Sequence, residues 1–162
     1  MLAHDLATLP SAPTYRVRSF RLRYRSEVLA VDERAFQQFW QLDSAGLDEA
    51  FGATPRARGR LVRDHHSVIA YSVVGLSGSE AFIQRLAVDP DHQGVGLGRA
   101  LTVDGLAWAK SHMAGVAFVN TQRSNSAALE LYDKLGFQRR SRPLTVMGLW
   151  LDDRPDDAAA GR

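Results

Sequence analysis

The chain has no cysteine. That excludes disulfides, thiol nucleophiles and thiolate metal sites, and it fits a reducing compartment. No stretch approaches the ~18 apolar residues that a membrane helix needs. The opening residues, MLAHDLATLPSAPTYR, have neither the basic start nor the apolar core of a signal peptide. A cytoplasmic protein without membrane contact is the expectation. Charge of one sign is also scarce, with a formal net value of +2 over 162 residues. Arginines gather at Arg16, Arg18, Arg21, Arg23 and Arg25, and again at Arg56, Arg58, Arg60 and Arg63. No aromatic platform or reader motif accompanies them, so they read as a solvated face and strand edges, with no nucleic-acid partner expected.

What is present suits one globular domain, with 45% hydrophobic and 23% charged residues. Residues 1–13, rich in Ala, Pro and Ser, read as a flexible N-terminal segment. Residues 152–162, DDRPDDAAAGR, read as a flexible tail. A single domain over residues 14–151 lies between them.

Inside that domain two periodicities alternate. TYRVRSF (14–20) alternates like a half-buried strand, and apolar residues from 27 to 40 recur at helical spacing. A second helix is expected over 44–52, capped by Asp43 or Ser44. Residues 59–64, 67–76 and 80–88 read as three strands, 98–112 as a helix and 115–121 as a strand. A helix over 125–135 and a strand over 144–151 complete the order. The middle strands suit an antiparallel meander, and the strand–helix–strand passage from 82 to 121 suits a right-handed parallel crossover. The expected architecture is a mixed sheet of α/β or α+β type with helices on both faces.

One stretch demands chemistry. DHQGVGLGRAL (91–101) places Gly94, Gly96 and Gly98 at alternate positions between a strand stopped by Pro90 and the start of a helix. That arrangement aims unpaired N–H groups and the positive end of a helix dipole at one point, a cradle for an anion such as a pyrophosphate. The spacing G-x-G-x-G departs from the dinucleotide fingerprint, and no G-K-[ST] follows.

The segments LAVDPDHQGVGLGRAL and NSAALELYDKLGF (125–137) resemble the two signature segments of the GNAT superfamily of N-acetyltransferases. The core pattern Q/R-x-x-G-x-G/A is matched by Gln93 to Gly98. The resemblance implies a mixed, mostly antiparallel sheet with a central splayed parallel pair. It also implies acetyl-coenzyme A (acetyl-CoA) as cosubstrate, an amine acceptor and no metal, and it leaves a homodimer open. By resemblance, Gln93, Gly94, Val95, Gly96, Leu97, Gly98 and Arg99 cradle the pyrophosphate. Leu86, Ala87 and Val88 meet the pantetheine arm through their backbone, and Asn125 adds a hydrogen bond to the coenzyme. Tyr132 is the implied catalytic residue, protonating the departing thiolate. From helical spacing alone, Tyr132 is equally a packed core residue, and Asn125 equally a helix N-cap.

The implied reaction is direct attack of a primary amine (a protein N-terminus, a lysine or a small molecule) on the thioester. The base is unassigned. Where ribosomal-protein N-terminal acetyltransferases carry a glutamate, this chain has Asn120, which speaks against that role. Glu80, His65, His66, Asp43 and Asp89 are the candidates. Phe36, Phe39 and Trp40, with Asp43, either line an acceptor cleft or pack a helix on the sheet. The alternative to an enzyme is an acyl-CoA-binding module of the same fold that catalyses nothing.

Overall fold

A computed structural model describes residues 1–11 and 15–140 of the chain. The expected strand over 144–151 and the tail lie outside the described residues. In chain order the elements are β1 (Leu2–His4), β2 (Arg18–Ser19), α1 (Arg25–Ala35), α2 (Ser44–Gly52), β3 (Arg56–Arg63), β4 (Val68–Ser77) and β5 (Glu80–Val88). These are followed by α3 (Leu97–Ser111), β6 (Val116–Val119), α4 (Ser126–Lys134) and β7 (Gln138–Arg139). Short 3-10 turns occupy Leu22–Tyr24, Gln38–Trp40 and Pro90–His92.

The strands form one sheet in the order β2-β3-β4-β5-β6-β1-β7. The β5–β6 pair is parallel and the other pairs are antiparallel. This is the expected mixed sheet with its central parallel pair. Helices α1 and α2 cover one face, where Val28, Val31 and Leu47 meet Leu61, Tyr71 and Val73. Helices α3 and α4 cover the other, where Val103, Leu106 and Leu135 meet Val74, Ile83 and Val119. β4 is buried at nine of its ten positions, which explains its mostly apolar sequence, interrupted inside by Ser72, as a strand covered on both faces requires. Gly105 lets α3 lie close to the sheet, since a Cβ there would stand 2.8 Å from Val74 Cγ2.

Three local expectations are corrected. Residues 1–13 are not simply a frayed end, because Leu2–His4 pairs with β6 on one side and β7 on the other. Leu2, Ala3, His4 and Leu6 are buried. Three residues are too few to show alternation, and their strand character comes from neighbours on both edges rather than from propensity. The expected strand over 14–20 shrinks to Arg18–Ser19, while Tyr15 and Val17 pack against a small cluster around Val62, Ala70 and Leu97.

The helix expected to reach residue 40 ends at Ala35, and Phe36 is extended. Side chains stop it. Gln41 Nε2 donates to the Glu33 and Phe36 carbonyls, Asp32 accepts from the Leu42 amide, and the Arg85 guanidinium lies 3.6 Å above the Phe36 ring. Fully buried Asp32 also receives Arg85 (2.6 and 2.7 Å) and the Tyr71 hydroxyl, and Arg85 donates to the Trp40 carbonyl. This network ties α1 and the α1–α2 connection to β5.

Candidate active site

The glycine loop is set up at the end of β5. The Asp89 amide donates to the Ile69 carbonyl, and the Asp89 carboxylate accepts from the Asp91 amide, closing the 3-10 turn at Pro90. Arg34 of α1 reaches both Asp89 (3.2 Å) and Asp91 (2.7 Å). Gly94 and Gly96 then adopt φ of +79° and +96°, conformations that L side chains disfavour. Gly96 is the N-cap of α3 and supplies no side-chain cap. By contrast, α2 and α4 are capped by the side chains of Asp43 and Asn125. The first turn of a fifteen-residue helix therefore presents its N–H groups and dipole to the loop, a cradle for a diphosphate. Gly98 serves another purpose: a Cβ there would sit 3.2 Å from Leu131 Cδ2 of α4.

Beside the loop the sheet opens. Parallel pairing of β5 with β6 runs from Glu80↔Val116 to Ile83↔Val119 and stops, while β5 continues to Val88, paired there, among the described residues, with β4 alone. The opening begins at a bulge, since Val73 opposes Arg85 while Val74 opposes Ile83, leaving Gln84 extra. Among the described residues, one edge of 84–88 is thus left without a partner strand, and its backbone groups, apart from the Val88 carbonyl that Gln93 takes, can be satisfied by an amide-bearing ligand lying as an added strand.

Helix α4 closes the site from the α3 side. Asn125 Oδ1 accepts from the Ala128 amide, confirming its cap role, and the side-chain NH₂ keeps two donors. Tyr132, next to the Leu131 that touches the α3 N-terminus, is 4% exposed and meets Phe137 edge-on at 5.2 Å. Burial raises its phenol well above the ordinary tyrosine value, so it stays protonated through and beyond the neutral range.

On the α2 side of the opening lies a cavity of about 410 Å³, lined by Thr54, Phe82, Gln84, Phe118 and Asn120 among others. Phe82 and Phe118 stack at 5.6 Å to form an aromatic wall. Gln84 Nε2 donates to Thr54 Oγ1, which in turn donates to the Arg56 carbonyl. Among the described residues, no acidic or basic side chain lines this cavity.

A family model described as "Acetyltransferase (GNAT) family" matches residues 21–137. The chain belongs to that family. A mycothiol acetyltransferase from Thermobispora bispora is 32% identical over 137 residues, covering 76% of this chain and 46% of the relative. The chain spans less than half the length of the curated relatives it matches, from 16% to 48%. Among solved structures, the ribosomal-protein-S18-alanine N-acetyltransferase from Escherichia coli has a TM-score of 0.69 at 23% identity, covering 78% of this chain and 79% of that one. The PaiA N-acetyltransferase from Thermoplasma acidophilum, in complex with coenzyme A, has a TM-score of 0.70 at 12% identity, covering 79% and 92%. These likenesses show the fold.

Within this GNAT domain the two signature segments are brought into contact through Gly98 and Leu131. The Gln93 side chain donates to the Val88 carbonyl at 3.1 Å, tying the loop to the end of β5. Arg99 donates to Ser11 Oγ. Leu97 is core, and the side chains of Leu86 and Val88 face α3 beside Gly98, so only their backbone faces the opening. The base candidates have other partners or places. Asp43 caps α2, Asp89 pairs with Arg34, His65 and His66 are exposed in a turn held by Asp64, and Glu80 starts β5 at the far end from the loop. Phe36, Phe39, Trp40 and Asp43 are absent from the cavity lining, and Asn120 is part of it. Sequence reading missed Gln84, because nothing marks an ordinary strand residue as the one displaced by a bulge, and Thr54, which stands in the α2–β3 connection with no motif around it. No group of three or more His, Cys, Asp or Glu is placed to hold a metal ion among the described residues.

Proposed function

We propose that the protein is an acetyl-CoA-dependent N-acetyltransferase acting on a primary amine. The observation that carries this reading is the open edge of β5 running from a neutral cavity to the uncapped N-terminus of α3. Amides of Gly94 to Arg99 hold the pyrophosphate, with the Arg99 guanidinium adding charge. Backbone groups of Leu86, Ala87 and Val88 pair with the pantetheine arm, Gln93 fixes the end of that strand, and Asn125 offers an amide donor. Acetyl-CoA supplies an activated acetyl group and a sulfur leaving group.

A backbone N–H on the free edge near Leu86 polarises the thioester carbonyl as the amine attacks. Tyr132 holds its proton on Oη and gives it to the sulfur as the C–S bond breaks, while the attacking nitrogen loses its proton to water and the phenolate regains one from solvent. With a neutral lining, the amine must reach the carbonyl already deprotonated or lose its proton to water. That favours an α-amine, which titrates near about 8, over a lysine near about 10.4.

The test is thiol release from acetyl-CoA with a panel of amines, beside calorimetric titration with coenzyme A. Tyr132→Phe is expected to lower kcat by about 10²-fold with coenzyme affinity nearly unchanged. Unchanged turnover removes Tyr132 from catalysis. Because burial raises its pKa, no alkaline loss of kcat from Tyr132 is expected up to the ordinary tyrosine value near about 10. The absence of a carboxylate from the cavity lining among the described residues also suits a binding module that catalyses nothing. Tight coenzyme binding without thiol release from any amine would select that reading.

A further inference from the structure

We infer that Tyr15 is a positioning residue for the coenzyme pyrophosphate, acting through the peptide plane between Val95 and Gly96. This rests on the coenzyme site proposed above. The Tyr15 hydroxyl donates to the Val95 carbonyl at 2.7 Å, across 80 residues of sequence. Its ring lies against Gly96, where a Cβ would find Tyr15 Cε2 at 3.8 Å. The ring is anchored beside Val62, Ile69, Ala70 and Leu97, so it approaches the loop from the β3–β4 side of α3.

The 95–96 peptide is trans, as are all the described peptide bonds, and a planar trans unit points its C=O and N–H in opposite directions. Fixing the Val95 carbonyl on Tyr15 therefore also fixes the direction of the Gly96 N–H, away from Tyr15. The plane needs fixing. Gly96 tolerates either sign of φ, and Val95 is 58% exposed, so little else in the loop resists a flip. A flipped plane would turn a carbonyl oxygen toward the anion and withdraw one N–H donor. Tyr15 thus keeps a carbonyl out of a cradle that works only if its N–H groups face one way.

The experiment compares wild type with Tyr15→Phe, which keeps the ring packing and removes only the hydroxyl. Coenzyme A affinity is measured by calorimetry. Turnover is measured with acetyl-CoA and with a truncated S-acetyl pantetheine that lacks the pyrophosphate. The expected result is a Kd for coenzyme A raised about fivefold, in keeping with one neutral hydrogen bond, and an equal rise in KM for acetyl-CoA. KM for the truncated thioester and the melting temperature of the free protein should stay at wild-type values. An unchanged or tighter Kd overturns the inference, as does an equal loss with the truncated thioester, which would mark a general structural role. If wild type itself fails to bind coenzyme A, the underlying site is wrong, and the inference falls with it.

Discussion

The two ends of the cleft are built by different means. At the proposed coenzyme end the groups that would face the ligand are backbone amides from one contiguous stretch, shaped by Gly94 and Gly96 and by the uncapped start of α3. At the cavity end the lining comes from four separate segments, at 53–54, 77, 82–84 and 118–120, and consists of apolar and uncharged polar side chains. A backbone site tolerates change in side chains but not in conformation. A side-chain site depends on whatever holds its segments together. Here that role falls to the Asp32–Arg85–Tyr71 network, which ties the α1–α2 connection to β5 right next to Gln84.

The largest expected effect tests that dependence. Asp32→Ala leaves Arg85, a mostly buried cation, without its carboxylate and should cost about 3–5 kcal/mol in denaturant unfolding. In protein that remains folded, KM for the amine should rise more than KM for acetyl-CoA. Equal changes would mean that the two ends are not separately supported. A smaller effect is expected from Gly96→Ala. A Cβ there would meet only Tyr15 Cε2, at an ordinary contact distance of 3.8 Å, so φ of +96° makes the cost conformational, about 1–2 kcal/mol, and coenzyme affinity should fall with it. Gly98→Ala is the matched control. Its backbone is helical, and the new methyl presses closely only on the movable end of Leu131, with Val88 and Leu86 at ordinary contact distance, so coenzyme affinity should change less. If the two alanines behave alike, conformation is not what the loop's glycines provide.

The same contrast explains what could be read from sequence. The glycine loop, the helix after it, Asp43 and Asn125 as caps, and the parallel crossover are local patterns, and each stands close to its expected place. The bulge at Gln84 is invisible in QRLAV, because a one-residue offset depends on the partner strand. The early end of α1 is likewise set by Gln41 and Arg85, which lie outside the helical pattern. The contact of Tyr15 with Val95 bridges 80 residues with no motif at either end. Leu2–His4 was hidden by its length.

The next effect down lies at the start of α4. Asn125→Ala removes the cap on the Ala128 amide and should cost about 1 kcal/mol. Coenzyme affinity should also fall if the side-chain NH₂ of Asn125 contacts the ligand. Asn125→Ser separates the two roles. It restores the cap but not the amide, so recovered stability with weakened coenzyme binding would place Asn125 on the coenzyme, and full recovery of both would confine it to capping.

The smallest effect concerns the segment misread as frayed. His4, at the end of β1, is buried against Phe137 and accepts from the Leu6 amide on Nδ1, with the backbone of Leu135 at the end of α4 close enough to favour its proton. That pattern needs a neutral ring with its proton on Nε2. Burial lowers its pKa, outweighing the opposing pull of Asp5 and the Leu135 backbone. The unfolded chain therefore binds a proton that the folded one refuses, and stability rises with pH through this group. His4 contributes fully above the unfolded value near about 6.5, and the contribution falls as pH drops from there toward the lower folded value. Unfolding free energies measured from pH 7.5 to 5 should decline more steeply in wild type than in His4→Gln, which keeps an acceptor and a donor but does not titrate. Parallel curves would mean that β1 is held by its ladder and by Leu2 and Leu6 alone. The coenzyme end should stay insensitive in either case, since β1 pairs with β6 along Ala117 to Val119 and leaves the free edge of β5 untouched.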